Sequence, residues 1–508
     1  MSPRRRRERR RSSCLARPAH AAALAGVVAG ALLLGGCESC ARGRGEPGAA
    51  PIERLAPTAS ASPGGTLPDP CRGTPLPADQ HYVAPGLCAR VVATHQGSLR
   101  QLTFAPNGDL FAVTIPGSIR RYRDRNGDGR FTGDEIVEWA STGGNNGHNC
   151  EIDARSGYLY AGSQDGVKRW KYGPEIDQGG PGEDVVVGQS GGGNHPYHPL
   201  HVYDGVLYVD SGSYKNSIDP MPVDYDGDRA VMKRFDLAKL VPGKPFQWRD
   251  GELFVRGVRN ATGFTRDAAG RIYAVVSGLD DLRYQGADLH PDNPGDEVVR
   301  LEAGKAYGYP FCFPATRVVA DGRVVPPGTM LHADAASQNP LVGVTKSSHD
   351  DAWCAAHAEP PISLIQAHAS ALSLEFFEGP DGALPARWRG GAFIALHGSW
   401  DRNPSTGYKI VWLPFDAAGT PPMPTSTAAA TTFPYEIVFG GGDRAGPRDG
   451  AWGWHTADAG EDVVRPVGVA VSPIDGALYV SSDNGSVALT KLGKSSDGNL
   501  YRIGVVRP

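Results

Sequence analysis

One pattern returns six times along the chain and constrains the fold more than any other feature: a short alternating run, a Gly, Asp or Asn turn, then an aromatic and aliphatic run. It reads LTFAPNGDLFAVT over Leu102–Thr114, CEIDARSGYLYAGS over Cys150–Ser163, HVYDGVLYVDSGS over His201–Ser213 and GFTRDAAGRIYAVVSG over Gly263–Gly278. A longer version, LSLEFFEG…WRGGAFIALHGS, spans Leu372–Ser399, and the last is GVAVSPIDGALYVSSDNGS over Gly468–Ser486. N-G, S-G and D-G turns between alternating runs are hairpin signals, since these residues tolerate the positive φ that tight turns need. A further strand follows most hairpins, as in SIRRYRD, GVKRWKY, AVMKRFD, DEVVRLE, YKIVWLPFD and GNLYRIGVV. Three or four strands per unit, six times over about 430 residues, predict an all-β chain folded as a six-bladed β-propeller. The spacing is too irregular for a solenoid, and a pair of sandwiches would not repeat so regularly. Gly (67) and Pro (42) together exceed a fifth of the 508 residues, which excludes long helices. With 40% hydrophobic residues the chain can still bury a core, so wholesale disorder is excluded too.

The net charge of −4 argues against a nucleic-acid binder, but the charge is unevenly placed. Arg4–Arg7, Arg9–Arg11 and Arg17 precede the apolar run AAALAGVVAGALLLGG, Ala21–Gly36. A basic segment, a 16-residue apolar stretch and small residues before a cut form a secretory signal, too short to span a bilayer. Leu34-Gly35-Gly36-Cys37 has the form of a lipobox, so residues 1–36 are expected to be removed and Cys37 lipidated. The expected product is exported and lipid-anchored to the cell envelope. Residues 1–36 hold eight Arg and one Glu, leaving 43 basic and 54 acidic side chains, a net charge of −11. Residues 37–80, rich in Pro, Ala, Gly and Ser, read as a flexible tether, with the propeller over 81–508. Six cysteines follow Cys37, an even count that suggests disulfides in an exported protein. Proximity suggests Cys71–Cys88 and Cys312–Cys354.

The chemistry is expected in loops. DRNGDGRFTGDE, Asp124–Glu135, fits a calcium loop: Asp124, Asn126 and Asp128 at positions one, three and five, Gly129 for the turn, the Arg130 carbonyl at seven and Glu135 last. Its bland alternative is a polar hairpin tip. GGGNHPYHPLHV brings His195, His198 and His201 within seven residues. His201 begins a strand, whereas His195, after a Gly-rich loop, is placed to act as a general base. A surface histidine is the ordinary alternative, and H-x-x-H-x-x-H does not specify zinc. Arg256-Gly257-Val258-Arg259-Asn260 precedes the fourth hairpin; its Arg-Asn pair suits an oxyanion or carboxylate, or else a salt-bridged turn.

From Gln80 to Pro508 the order of these motifs resembles the soluble pyrroloquinoline-quinone-dependent (PQQ-dependent) sugar dehydrogenases, particularly the glucose/sorbosone dehydrogenase branch. RQLTFAPNGDLF resembles the first-blade motif, which implies that Gln101 touches the cofactor. GNHPYH resembles the segment of the catalytic base and implies His195; GVRNATG resembles G-x-R-N-x-x-G and implies Arg259 and Asn260 on the quinone side. HASALSLEFF, LHGSWDRNPSTGYKIV and RPVGVAVSPIDG resemble later cofactor-binding segments and nominate His368, Arg402, Lys409 and Arg465. The resemblance further implies a Ca²⁺ ion that polarises the quinone near Asp280–Asp281, a sugar substrate whose C1 hydroxyl proton goes to His195, and an envelope electron acceptor, a cytochrome or a quinone. The product would be a lactone from an aldose, or an acid from an aldehyde such as sorbosone. The three carboxylates of that cofactor require several Arg or Lys side chains, which bidentate Arg suits. The chain departs from the pattern at His198, where many relatives have Arg, and at Tyr309, where the sorbosone branch has Trp. Two other readings are a cofactor-free propeller for sugar binding or scaffolding and a calcium-dependent propeller lactonase. Arg259, Arg402 and Arg465 favour an anionic cofactor over both.

Overall fold

Short alternating runs separated by Gly-bearing turns leave each segment one apolar face to bury, and the chain buries it by stacking sheets radially. The computed structural model describes residues 69, 71–76, 81–215, 228–334, 349–379, 382–399, 402, 406–441, 464–483 and 498–506. The signal expected over residues 1–36, Cys37 and most of the tether lie outside the described residues. Blade one holds Leu99–Phe104, Leu110–Thr114, Ser118–Tyr122 and Ile136–Ser141, in sequence order across the sheet. Blade two holds Cys150–Asp153, Tyr158–Ser163, Gly166–Lys171 and Glu183–Val187, and Phe246–Gln247 adds a parallel edge. Blades three and four begin at Leu200–Tyr203 and Gly263–Arg266, and blade five begins at Ala371–Phe376.

Blade six closes the ring with strands from both ends of the described chain. Pro466–Val471, Leu478–Ser482 and Asn499–Val505 continue onto Leu87–Ala93, which runs antiparallel to Asn499–Val505. Pairing strands from both ends of the described chain in one sheet ties the last blade to the start of the propeller and closes the ring by hydrogen bonds. Thr74–Pro75 joins the same sheet and a disulfide ties Cys71 to Cys88, so residues 71–76 belong to the blade rather than to the expected tether. Cys312–Cys354 forms the second expected disulfide; Cys150 is free and buried.

Tryptophans fill the spaces between blades. Trp139, Trp170, Trp248 and Trp388 are fully buried, and each indole N–H reaches an acceptor: the carbonyls of Ile176, Gly180 and Asp228, and the Glu436 carboxylate, at 3.1, 3.1, 3.2 and 3.1 Å. Truncating such a side chain to Ala costs about 3–5 kcal/mol. At the axis the packing is tight enough to need glycine: a Cβ on Gly468 would meet the Gln101 Cα at 2.6 Å. No helix among the described residues is long and apolar enough to cross a membrane.

Candidate active site

The first strands of all six blades run the same way, so the loops leading into them open on one face, around the axis. His148 precedes the first strand of blade two, His195 that of blade three, and Arg259 and Asn260 that of blade four. His368 precedes the first strand of blade five and Arg465 that of blade six. Blade one contributes from within its strand. Its register slips between Leu99 and Leu102, and such a bulge re-aims side chains, which turns both Arg100 and Gln101 into the site. These residues are between 0 and 8% exposed. Gln101 reaches across the axis, its Nε2 at 2.6 Å from the Thr262 carbonyl and 2.5 Å from that of Leu372, and 3.1 Å from His148 Nε2.

His195 is held in one tautomer. Its Nδ1 lies 2.8 Å from Ser213 Oγ and 3.1 Å from the Ser213 carbonyl. The Ser213 hydroxyl gives its single proton to the Lys215 carbonyl, 2.7 Å away, so it must accept from Nδ1–H. Nε2 therefore carries the lone pair. Burial, then the Arg259 charge and next Arg229, hold the imidazole well below the ordinary histidine range, so it is neutral and able to accept a proton. Gly212 makes room: a Cβ there would meet the His195 Cβ at 2.8 Å and Asn260 Oδ1 at 3.0 Å. The Ser213 amide donates to the Arg259 carbonyl at 2.6 Å, tying the base to the neighbouring blade.

Arginines with braced guanidiniums stand around the axis mouth, Arg259 beside His195. Arg259 Nη2 is 2.8 Å from Asp280 Oδ2, and Asp280 also faces His368 at 3.9 Å. Arg465 Nη2 lies 3.0 Å from His397 Nδ1; His397 Nε2 is 2.9 Å from Asp483 Oδ1, and Arg100 Nη1 is 3.4 Å from Asp483 Oδ2. Arg402 Nη2 is 3.2 Å from Asp292 Oδ1, and Arg317 pairs with the other oxygen of the same carboxylate. The last two arginines line a cavity of about 200 Å³ with Gln366 and Phe433. Asp483 thus serves Arg100 and, through His397, Arg465, while Asp292 serves Arg317 and Arg402. The histidines add no charge: burial first and neighbouring arginines next push His368 and His397 down to about 4 and His148 well below its usual range. Lys409, buried on the third strand of blade five, sends its ammonium to 5.7 Å from the Tyr435 ring. His368 and Ser370 adopt φ of 59° and 55°, left-handed backbone that is rare outside glycine and recurs at functional sites.

A planar tricarboxylate fits this donor set, because cationic forks surround neutral rings at a buried axis mouth. Calcium fits less well. Asp124 accepts from the Gly127 and Gly129 amides at 2.7 and 3.0 Å, and Glu135 from the Arg125, Asn126 and Thr132 amides at 2.9, 3.3 and 3.0 Å. Asn126 and Asp128 bond each other, the Arg130 amide donates to Asp128, and the Arg72 guanidinium sits on the Gly127 carbonyl. The carboxylates expected for a metal therefore satisfy their own loop. Asp280 is buried against Arg259, whereas Asp281 is exposed at φ 51°. Among the described residues no three His, Cys, Asp or Glu side chains are grouped so as to hold a metal ion.

The two departures resolve into packing. His198 is fully buried behind the site, Nδ1 3.2 Å from the Asp210 carbonyl and its ring 6.3 Å from Trp248. Tyr309 packs in the blade-four insertion with its hydroxyl on the Lys215 carbonyl at 3.3 Å. Sequence reasoning missed Arg100, His148, Ser213, His397 and Asp483. His148 had a signal: it stands before the second hairpin where His195 stands before the third.

The described residues thus form a six-bladed propeller whose axis mouth gathers buried arginines and neutral histidines, His195 among them. Residues 81–490 match the TrAA12-like family, and the chain belongs to it. Similar curated proteins include a pyrroloquinoline quinone-dependent pyranose dehydrogenase of Coprinopsis cinerea, 27% identical over 442 residues, covering 83% of this chain and 56% of that protein. A pyrroloquinoline quinone-dependent sugar dehydrogenase of Hypocrea jecorina (strain QM6a) is 26% identical over 429 residues, 81% of this chain and 89% of that one. The chain thus spans about half the length of the first relative. Among solved structures, the holo form of the pyranose dehydrogenase PQQ domain from Coprinopsis cinerea aligns with a TM-score of 0.67 at 25% identity, covering 85% of this chain and 99% of that one. The iodide structure of the Trichoderma reesei family AA12 protein gives the same TM-score at 24% identity over 85% and 99%, a likeness of fold.

Proposed function

We propose that this chain oxidises sugars as a PQQ-dependent dehydrogenase, converting an aldose to its lactone or a sugar aldehyde to its acid. The observation that carries the proposal is His195: buried, neutral, with Nδ1 tied to Ser213 and Nε2 left to accept, beside Arg259. The names of the similar proteins support it, and so does the basic axis mouth. When bound, the quinone supplies the two-electron sink that takes the hydride from C1. Arg259, Arg402, Arg465, Gln101, Asn260, His368 and Lys409 would hold it by its carboxylates and carbonyls. His195 Nε2 removes the C1 hydroxyl proton, of the cyclic aldose or of the hydrate that a sugar aldehyde forms with water, as the carbon–oxygen double bond forms, which matches one proton and one hydride lost per sugar. Arg259 stabilises negative charge that develops beside it, its own position fixed by Asp280. Because no calcium donor set is assembled among the described residues, no step is assigned to that ion.

An envelope cytochrome or quinone would then remove the electrons, and a lipid on Cys37 would keep the enzyme at the membrane. Replacing Cys37 by Ala is expected to release the protein in soluble form; retention of the variant in the membrane fraction would reject the anchor. Purified protein incubated with PQQ, with and without Ca²⁺, is expected to reduce an artificial dye with aldoses, and His195→Ala is expected to lower this by about 10³-fold. Full activity in that variant would reject the base.

A further inference from the structure

Arg256, three residues before Arg259, is the charged member of Arg256–Asn260 that the site above does not use. It ends the outer strand of blade three, Glu252–Arg256. Its main chain is pinned: the amide donates to the Lys305 carbonyl at 3.1 Å, and its carbonyl accepts from the Tyr307 amide at 2.9 Å. Its side chain is exposed, and among the described residues the guanidinium has no hydrogen bond or ion pair. Arg256 lines a cavity of about 520 Å³, inside the range of roughly 300–1,000 Å³ that small-molecule pockets occupy. Leu253, Tyr309, Phe311, Trp353 and His357 line it too.

These walls are held in place. Phe311 and Trp353 adjoin Cys312 and Cys354, which a disulfide joins, and their rings meet edge to face at 6.0 Å and 88°. Trp353 and His357 lie one turn apart on the helix Asp351–His357, with their rings stacked at 4.7 Å. His357 Nδ1 is 2.9 Å from the Trp353 carbonyl, which can only accept, so in the neutral ring Nε2 is left as an acceptor. The indole N–H of half-buried Trp353 has no acceptor among the described residues. The cavity therefore offers apolar and aromatic surface together with two donors and one acceptor. That mixture suits a sugar unit, whose C–H faces pack on rings and whose hydroxyls both donate and accept. An apolar ligand would strip water from the indole N–H and the guanidinium without replacing it.

The cavity adjoins the base. The Tyr309 hydroxyl lies 3.3 Å from the Lys215 carbonyl, the same carbonyl that accepts the Ser213 hydroxyl at 2.7 Å, and Ser213 Oγ is 2.8 Å from His195 Nδ1. We propose that the cavity binds the second and following units of a saccharide whose reducing end is oxidised at His195, so that the enzyme prefers a reducing oligosaccharide to a free monosaccharide. Arg256 and the Trp353 N–H donate to hydroxyls of those units, His357 Nε2 accepts from one, and Phe311 packs on a ring face. The proposal rests on the sugar-oxidising reading above and names its substrate class.

The test is an NMR titration of ¹⁵N-tryptophan-labelled apo protein, followed at the Trp353 indole N–H, whose resonance is the one lost in Trp353→Phe. The probes are glucose and the cello-, malto- and xylo-oligosaccharides of two to four units. The longer chains of at least one series are expected to shift that resonance saturably, and glucose far less at the same concentration. Arg256→Ala should weaken that binding about tenfold, as for one hydrogen bond lost from a charged donor. After addition of PQQ, kcat/KM on the tightest-binding oligosaccharide should exceed that on glucose, and the ratio should fall about tenfold in Arg256→Ala, through KM. No shift with any chain, a shift as strong with glucose, or a ratio that Arg256→Ala leaves unmoved would overturn the proposal. Saccharide binding at Trp353 with no sugar oxidised would support the cavity and reject the dehydrogenase. Sugar oxidation without the shift would do the reverse, so the two failures are told apart.

Discussion

Two polar turns announced themselves in the sequence, and the fold treats them in opposite ways. The Asp124–Glu135 turn has the complete spacing of a calcium loop, yet its carboxylates bond the amides of the same loop. The His195 turn has no strict spacing, yet Ser213 and Arg229 from other segments brace it and leave Nε2 open. A motif of local donors and acceptors can close on itself. A reactive group needs its local demands met from elsewhere, so that one atom remains for the ligand.

The largest effect that would break this contrast is at the base. His195→Ala should lower sugar-dependent dye reduction by about 10³-fold, within the range for a lost general base, while its melting temperature stays near wild type. Dye reduction within tenfold of wild type would place the base elsewhere. Next, Arg259→Met leaves Asp280 buried without its guanidinium, which should cost about 3 kcal/mol in a denaturant titration and weaken quinone binding. If stability fell but quinone affinity held, Arg259 would be a structural arginine only.

The Asp124 turn should respond in stability alone. Glu135→Ala removes the acceptor of three amides and is expected to cost about 2 kcal/mol, with sugar oxidation unchanged. Millimolar Ca²⁺ should leave the melting temperature of the apo protein where EDTA leaves it; a rise of several degrees would show that the turn reopens around the ion. The smallest effect is on pH. The proton acceptor must be neutral, and the folded-state His195 lies well below its unfolded value, so activity should persist as pH falls through 6.5, the ordinary histidine value. The same sign governs stability. His148, His195, His198, His368 and His397 are all lowered in the fold, so their contribution is fully present above pH 6.5 and lost as pH falls below it. An acid limb of activity at or above 6.5 would contradict the buried setting of the base.

The blades were legible because each hairpin carries its own turn chemistry: N-G, S-G and D-G announce reversals without reference to the rest of the chain. The closure was not, because Leu87–Ala93 pairs with Asn499–Val505 and neither run names its partner. His195 and Arg259 were legible from their place before a hairpin and from family likeness. Arg100 was not, since only the bulge between Leu99 and Leu102 separates its direction from that of an ordinary strand residue. Arg229 left no local trace, because its hydrogen bonds among the described residues go to main-chain carbonyls, which every sequence has. Whether the Asp124–Glu135 turn takes calcium is not legible from spacing, which states which donors are near one another and not whether they converge on one point.

The account depends on the axis mouth holding an anionic quinone next to His195. Titrating the apo protein with PQQ and following its absorbance tests this most directly. Saturation at one quinone per chain, weakened by Arg259→Met and untouched by Glu135→Ala, is the predicted result. No saturable binding, or binding that Glu135→Ala removes and Arg259→Met spares, would contradict it.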